Sequence, residues 1–179
     1  FFGIEEFIKR LAGAKPEILL AWLPRIGTRL AHWLPGMLHG LAAAGQGNKI
    51  DPIIEKWVGD EKHLAAIAWY LQHAKLFRFD LLEAITAKAL AAKDDHVLGN
   101  VAYAAARQSN AHPDGIFDKI FLPAATALSS RGDYSWTGDM LVWRDLALLK
   151  GLAKEQINTL LAMMVELPSL DRGGEDMLA

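Results

Sequence analysis

The stretch His63 to Asp95, HLAAIAWYLQHAKLFRFDLLEAITAKALAAKDD, decides the fold of this 179-residue chain. From His63 to Ala74 the apolar residues Leu64, Ile67, Ala68 and Leu71 recur at i, i+3, i+4 and i+7, the spacing that lines one face of a helix. Lys75 to Arg78 reads as a turn. Asp80 follows Phe79, and Glu83 stands three residues later. That is an aspartate version of the capping box, in which a carboxylate accepts from unpaired amides while the glutamate reaches back. A second helix is therefore expected to open at Asp80, to continue through Leu82, Ile85, Ala89 and Leu90, and to end at Lys93-Asp94-Asp95.

The unit returns in altered form. A large apolar residue, then Asp or Asn, any residue, then Ile or Leu occurs at Ile50-Asp51-Pro52-Ile53, Phe79-Asp80-Leu81-Leu82, Phe117-Asp118-Lys119-Ile120 and Ile157-Asn158-Thr159-Leu160. The motif is expected to mark helix starts, with Asp51 as cap and Pro52 in the first helical position. The last copy is different, because it lies inside a helix already begun near Lys154. Successive starts are 29, 38 and 40 residues apart. The preceding helices also align: His63-Leu-Ala-Ala-Ile-Ala-Trp-Tyr70 lies over His96-Val-Leu-Gly-Asn-Val-Ala-Tyr103, and Asp139 to Leu149 is a third candidate without the histidine. Two-helix repeats of about 34 to 47 residues have this form. The fold expected is all-α, built of stacked antiparallel helix pairs as an α-solenoid. A single irregular helical bundle is the alternative.

Working outward, residues 1–48 read as irregular N-terminal helices, 49–170 as the helix pairs and 171–179 as the start of a further segment. Phe2 to Leu11 is amphipathic, Pro16 suits a first helical turn, and Pro24, Pro35 and Pro123 kink or separate helices. The chain opens Phe1-Phe2-Gly3 and closes on Asp176-Met-Leu-Ala179, so a fragment of a longer protein is expected. The composition is 52% hydrophobic, but much of that is alanine, which favours helices and close helix contacts. Net charge is −2, too little positive charge to drive nucleic-acid binding. With no cysteine there are no disulfides and no thiolate metal sites. No apolar run approaches the roughly 20 residues of a spanning helix, so a soluble, cytoplasmic chain is expected.

Candidate sites fall in three places. Ser129 to Asp139, SSRGDYSWTGD, is the longest polar connection, and Arg131, Tyr134 and Trp136 are the residue types that dominate binding hot spots. Trp136 has a second reading, in which it tucks back to seal the neighbouring helices. Asp94-Asp95-His96 with Asn100, joined by His63, is the constellation a small helical enzyme or metal-binding domain would use. Capping of the helix that starts at His96 explains the same residues, and no H-E-x-x-H spacing is present. Residues 18–45, with Trp22, Trp33, Arg25 and Arg29 and no acidic residue, could lie on a membrane surface. Trp22 and Trp33 filling a core is the preferred account of that segment. No catalytic, metal or cofactor residue is assigned, and no phosphate-cradling loop is found.

The helix-pair pattern from about Asp51 to Leu170 resembles HEAT-like α-solenoid repeats. The tail, Leu161-Ala-Met-Met-Val-Glu-Leu-Pro-Ser-Leu170 followed by Glu175-Asp-Met-Leu178, resembles segments in the C-terminal helical arrays of bacterial STAND-type NTPases. The resemblance implies a non-enzymatic protein-interaction or ligand-sensing module in a larger multidomain protein. Its partner would be a protein, a peptide or other domains of the same chain, without cofactor, nucleic acid or membrane.

Overall fold

Leu34–Ala43 organises the packing of the N-terminal half: seven of its ten residues are buried. A helix that is apolar all round needs neighbours on several sides. In the computed structural model, which describes residues 2–108, 113–137 and 151–167, it finds them. We label the elements α1 (Phe2–Ala14), α2 (Pro16–Trp22), α3 (Leu34–Ala43), α4 (Gly47–Gly59), α5 (Leu64–Leu71), α6 (Phe79–Ala92) and α7 (Asp95–Gln108). α3 packs against α1 and α5, with α2 and α4 completing its surroundings. The protein is all-helical, and no strand occurs among the described residues. The third first-helix candidate, Asp139 to Leu149, and the tail beyond Leu167 lie outside the described residues.

The chain divides into two compact units, Phe1–Ile85 and Thr86–Ala179. In the first, α1 and α3 meet at Gly40. A Cβ there would stand 2.5 Å from both the Ala12 Cβ and the Lys9 carbonyl oxygen. Only a residue without a side chain lets the two helices approach so closely. In the second unit α7 turns Val97, Leu98, Val101, Ala102, Ala104 and Ala105 inward. It packs on one continuous helical run made of α8 (Pro113–Ile116), a π-helical turn at Phe117–Phe121 and α9 (Leu122–Ser129). The last helix among the described residues, α10 (Lys154–Val165), buries Leu160.

The recurrent motif marks a helix start at Phe79-Asp80, where α6 opens, but not in its other copies. α4 begins at Gly47, so Asp51 and Pro52 are inside it. Asp118 lies inside the run that begins at Pro113. Asp80 is the second residue of α6, whose first bond runs from the Leu82 N–H to the Arg78 carbonyl. The motif instead spaces core residues. Ile54, Leu82, Ile120 and Leu160 are buried three or four positions after its leading apolar residue, and the aspartate or asparagine between faces outward or to the rim. Asp80 is used as an ion-pair partner. Arg78 Nε donates to its Oδ1 at 2.9 Å, and Nη2 donates to its Oδ2 at 2.6 Å and to Glu55 Oε1 at 2.9 Å. This fork joins the end of the 75–78 turn to α4 and holds the Asp80 carboxyl below its usual range.

What recurs is the way helices end. After α3, α4, α6 and α9, one residue takes a left-handed conformation: Gly45, Glu61, Lys93 and Gly132. Each time the next amide reaches back five residues, as in Gln46 N to Leu41 O, Lys62 N to Trp57 O, Asp94 N to Ala89 O and Asp133 N to Leu128 O. That is the Schellman closure, which satisfies carbonyls the helix leaves unpaired. Arg131-Gly132-Asp133 is therefore a helix terminator, with its glycine at the position that favours a positive φ.

Pro35 and Pro123 also act differently from simple breaks. Pro35 sits in the first turn of α3, where its missing N–H leaves no gap. Pro123 follows the π-helical turn, in which the Leu122 N–H bonds the Phe117 carbonyl. A proline ring clashes with the carbonyl four residues back, and the wider turn over Phe117–Phe121 relieves that clash without ending the helix.

Candidate functional site

The polar connection after α9 is tightly built. Asp133 Oδ1 accepts from the Ser135 N–H at 2.8 Å, and the Tyr134 carbonyl accepts from both the Thr137 N–H and its hydroxyl. A short 3-10 turn, Ser135–Thr137, carries Trp136. Its indole is only 6% exposed, stands edge-on to Phe121 with centroids 6.0 Å apart, and donates from Nε1 to Ser129 Oγ at 2.8 Å. The ring therefore has a packing partner and a hydrogen-bond partner. Arg131 pairs with Asp95 at the start of α7, and Tyr134 is half-buried. Of the three residues proposed for partner binding, one seals the core and one is engaged by a carboxylate of its own unit.

That carboxylate belongs to the cluster with catalytic appearance. Asp94 caps α7: its Oδ1 accepts from the Val97 N–H at 3.1 Å, and its carbonyl accepts from the Leu98 N–H. His96 is exposed, and its carbonyl accepts from Asn100 Nδ2. His63 is in the first unit, just before α5, in a left-handed conformation with φ of 57°. Its ring packs edge-on to Trp57 at 5.1 Å, and burial depresses its pKa against a hydrogen bond to the Ile26 backbone. These contacts fasten the 4–5 turn to the segment after α2. Among the described residues, no three His, Cys, Asp or Glu side chains are gathered to hold a metal ion.

Residues 16–33 differ most from expectation. Trp22 was expected in a core, but it is 57% exposed. The reason lies in the register of α2. Leu19 and Leu23 form its buried line, and Ile18 and Trp22, each one residue earlier, are rotated about 100° away from it. Ile18 is 45% exposed, so two large apolar side chains one turn apart share an outer face. Arg25 and Pro24 are exposed just beyond, in a 3-10 turn at Leu23–Arg25. A second 3-10 turn, Thr28–Trp33, adds exposed Leu30, while Trp33 is half-buried with the His32 ring 4.2 Å away. Ile18 to Asn48 contains no acidic residue, and residues 1–50 hold six basic against three acidic side chains. The remainder holds 13 against 18.

A third grouping is invisible in sequence. His39 on α3 faces Tyr70 on α5 at a ring separation of 4.9 Å and His73, just past α5, at 6.0 Å. His39 is held neutral: burial, then the charges of His73 and Lys9, push its pKa down to about 4. Burial and the neighbouring Asp51 push the Tyr70 phenol up. Helical spacing relates residues a few positions apart, and 34 positions separate these two histidines.

The fold and these surfaces define an all-helical protein of two compact units, and no described helix is long and apolar enough to cross a membrane. No protein-family model, curated protein or solved structure matches the chain.

Proposed function

We propose that the chain is a non-enzymatic interaction module that docks an acidic, apolar-faced peptide or helix onto the outer face of α2. The observation that carries this reading is Trp22, the large side chain of an interface anchor left 57% exposed one turn from exposed Ile18. Arg25 supplies positive charge beyond the end of α2, and with no acidic residue from Ile18 to Asn48 only the exposed Glu17 at the start of α2 opposes an acidic partner. The Arg131–Tyr134–Trp136 connection serves chiefly to close the second unit, and Tyr134 remains its available contact.

Peptides selected from a random display library should be acidic with bulky apolar residues. Their affinity should fall about tenfold or more with Trp22→Ser, the loss of an anchor costing more than about 1 kcal/mol. Arg25→Glu should reverse the charge preference. Selected peptides that bind both variants as well as the native chain would sink the proposal. Flotation with anionic vesicles that depends on Trp22, with no peptide binding, would replace it with a membrane-surface role.

We also propose that the helix pairs stack as α-solenoid repeats in a sensing array of a longer protein. Supporting this are the consecutive packing of α3, α4 and α5 and the four matching helix ends. Scattering tests it: an extended stack should have a radius of gyration well above the approximately 16 Å of a compact chain of this length. A value near that figure favours a single bundle.

A further inference from the structure

We infer that His39 and His73 form a two-histidine site for a borderline divalent cation, Zn²⁺, Ni²⁺ or Cu²⁺, which would tie α3 to the end of α5. Metal–nitrogen bonds of about 2.0–2.1 Å place two imidazoles on one ion with ring centres roughly 5–6 Å apart. His39 and His73 already stand at 6.0 Å, tilted 59° to one another. Binding requires the exposed His73 side chain to turn so that a nitrogen of each ring reaches a shared point.

The two histidines have complementary roles. His39 is half-buried on the most enclosed helix of the first unit, with the Tyr70 ring 4.9 Å away to fix its plane. His73 is exposed and gives the ion access from water. A metal takes imidazole in its neutral form. Imidazole pairs suit zinc, nickel and copper, whereas magnesium and calcium prefer oxygen.

The charges around the pair set its strength. Asp51 is near enough to Tyr70 to raise its phenol, and it makes this side of the unit more negative. Lys9 on α1 is the cation that faces His39, and it opposes binding. It is exposed and can turn away. With two protein ligands, water fills the remaining positions, so the site is exchangeable and open to a further ligand.

Titration of the untagged full chain with zinc or nickel salt in a non-chelating buffer near neutral pH tests the inference. One ion should bind per chain, and thermal unfolding should move upward with metal. His73→Ala should weaken binding about tenfold or more while leaving the metal-free melting temperature unchanged. His39→Gln should do the same to binding, and His96→Ala should retain native affinity. Native affinity and stoichiometry in His73→Ala, or no binding by the native chain, would overturn the inference.

Discussion

Trp22 and Trp136 have similar settings in the sequence, each on a short segment near an arginine and a residue that interrupts helices. The structure treats them in opposite ways. Trp136 lies in the more polar stretch and is buried, whereas Trp22 lies in the more apolar stretch and is 57% exposed. Local polarity therefore does not decide the fate of an indole. Trp136 is drawn in because Ser129 accepts from its N–H and Phe121 presents a ring. Trp22 is left out because Leu19 and Leu23 already occupy the inward face of α2. One tryptophan is a structural seal and the other is available to a partner.

Truncating the seal should produce the largest effect. Trp136→Ala removes a buried indole and leaves a cavity beside Phe121, and chemical denaturation should show a loss of about 3–5 kcal/mol. A loss below about 1 kcal/mol would place Trp136 with Trp22 as a surface residue and erase the contrast.

The first unit has its own tight point, away from its exposed tryptophan. Gly40→Ala puts a methyl group 2.5 Å from the Lys9 carbonyl and the Ala12 side chain. Two helix backbones must separate to admit it, at a cost of about 1–3 kcal/mol as overpacking, visible as a lower unfolding midpoint. A neutral result would mean that α1 does not hold to α3 at Gly40.

His39 adds a pH dependence that Trp136 cannot. Its folded pKa of about 4 lies below the ordinary 6.5, so between those values the unfolded chain binds more protons. Stability should therefore fall as pH drops from 6.5 towards 4, and this contribution should level off below that. Denaturant midpoints across the window should show a shallower slope for His39→Gln. Some slope should remain from His63, whose pKa is lowered in the same sense. The groups facing His39 are His73, Lys9 and the Tyr70 ring, so a slope unchanged by the substitution would assign the effect to others.

Helical periodicity made much of the class legible. The helix from Phe2, Pro16 in the first turn of α2, and an aspartate cap before His96 all stand in the structure, although Phe7, expected on the inner face of that first helix, is 62% exposed. Boundaries were misread where the same residue pattern serves two purposes. An aspartate between two apolar residues three apart suits a helix start, but it suits the outer rim of a helix interior as well. Asp51 and Asp118 are of the second kind. The end of α6 at Lys93-Asp94-Asp95 was legible as a polar run, but the way the helices close was not. Glu61 and Lys93 hold left-handed conformations that glycine usually signals, so composition gave no cue. The surfaces were harder still. Whether Trp22 or Trp136 is exposed depends on which neighbours reach them first, and the approach of His39 to His73 depends on how α3 and α5 pack.

The smallest effect on stability belongs to Trp22, and it gives the comparison its functional sense. Trp22→Ser removes a ring that has already kept more than half of its surface in water, so stability should change by no more than about 0.5 kcal/mol. Binding of an acidic peptide by the same variant should fall far more than stability does. That separation distinguishes a docking anchor from a core residue, because losing a core residue weakens binding only by unfolding the surface that binds. A matched loss of both would put Trp22 in the same class as Trp136, as a seal whose removal is felt everywhere. The exposed pair with Ile18 makes the first outcome the expected one, since burying those two side chains is a gain that only a partner can supply.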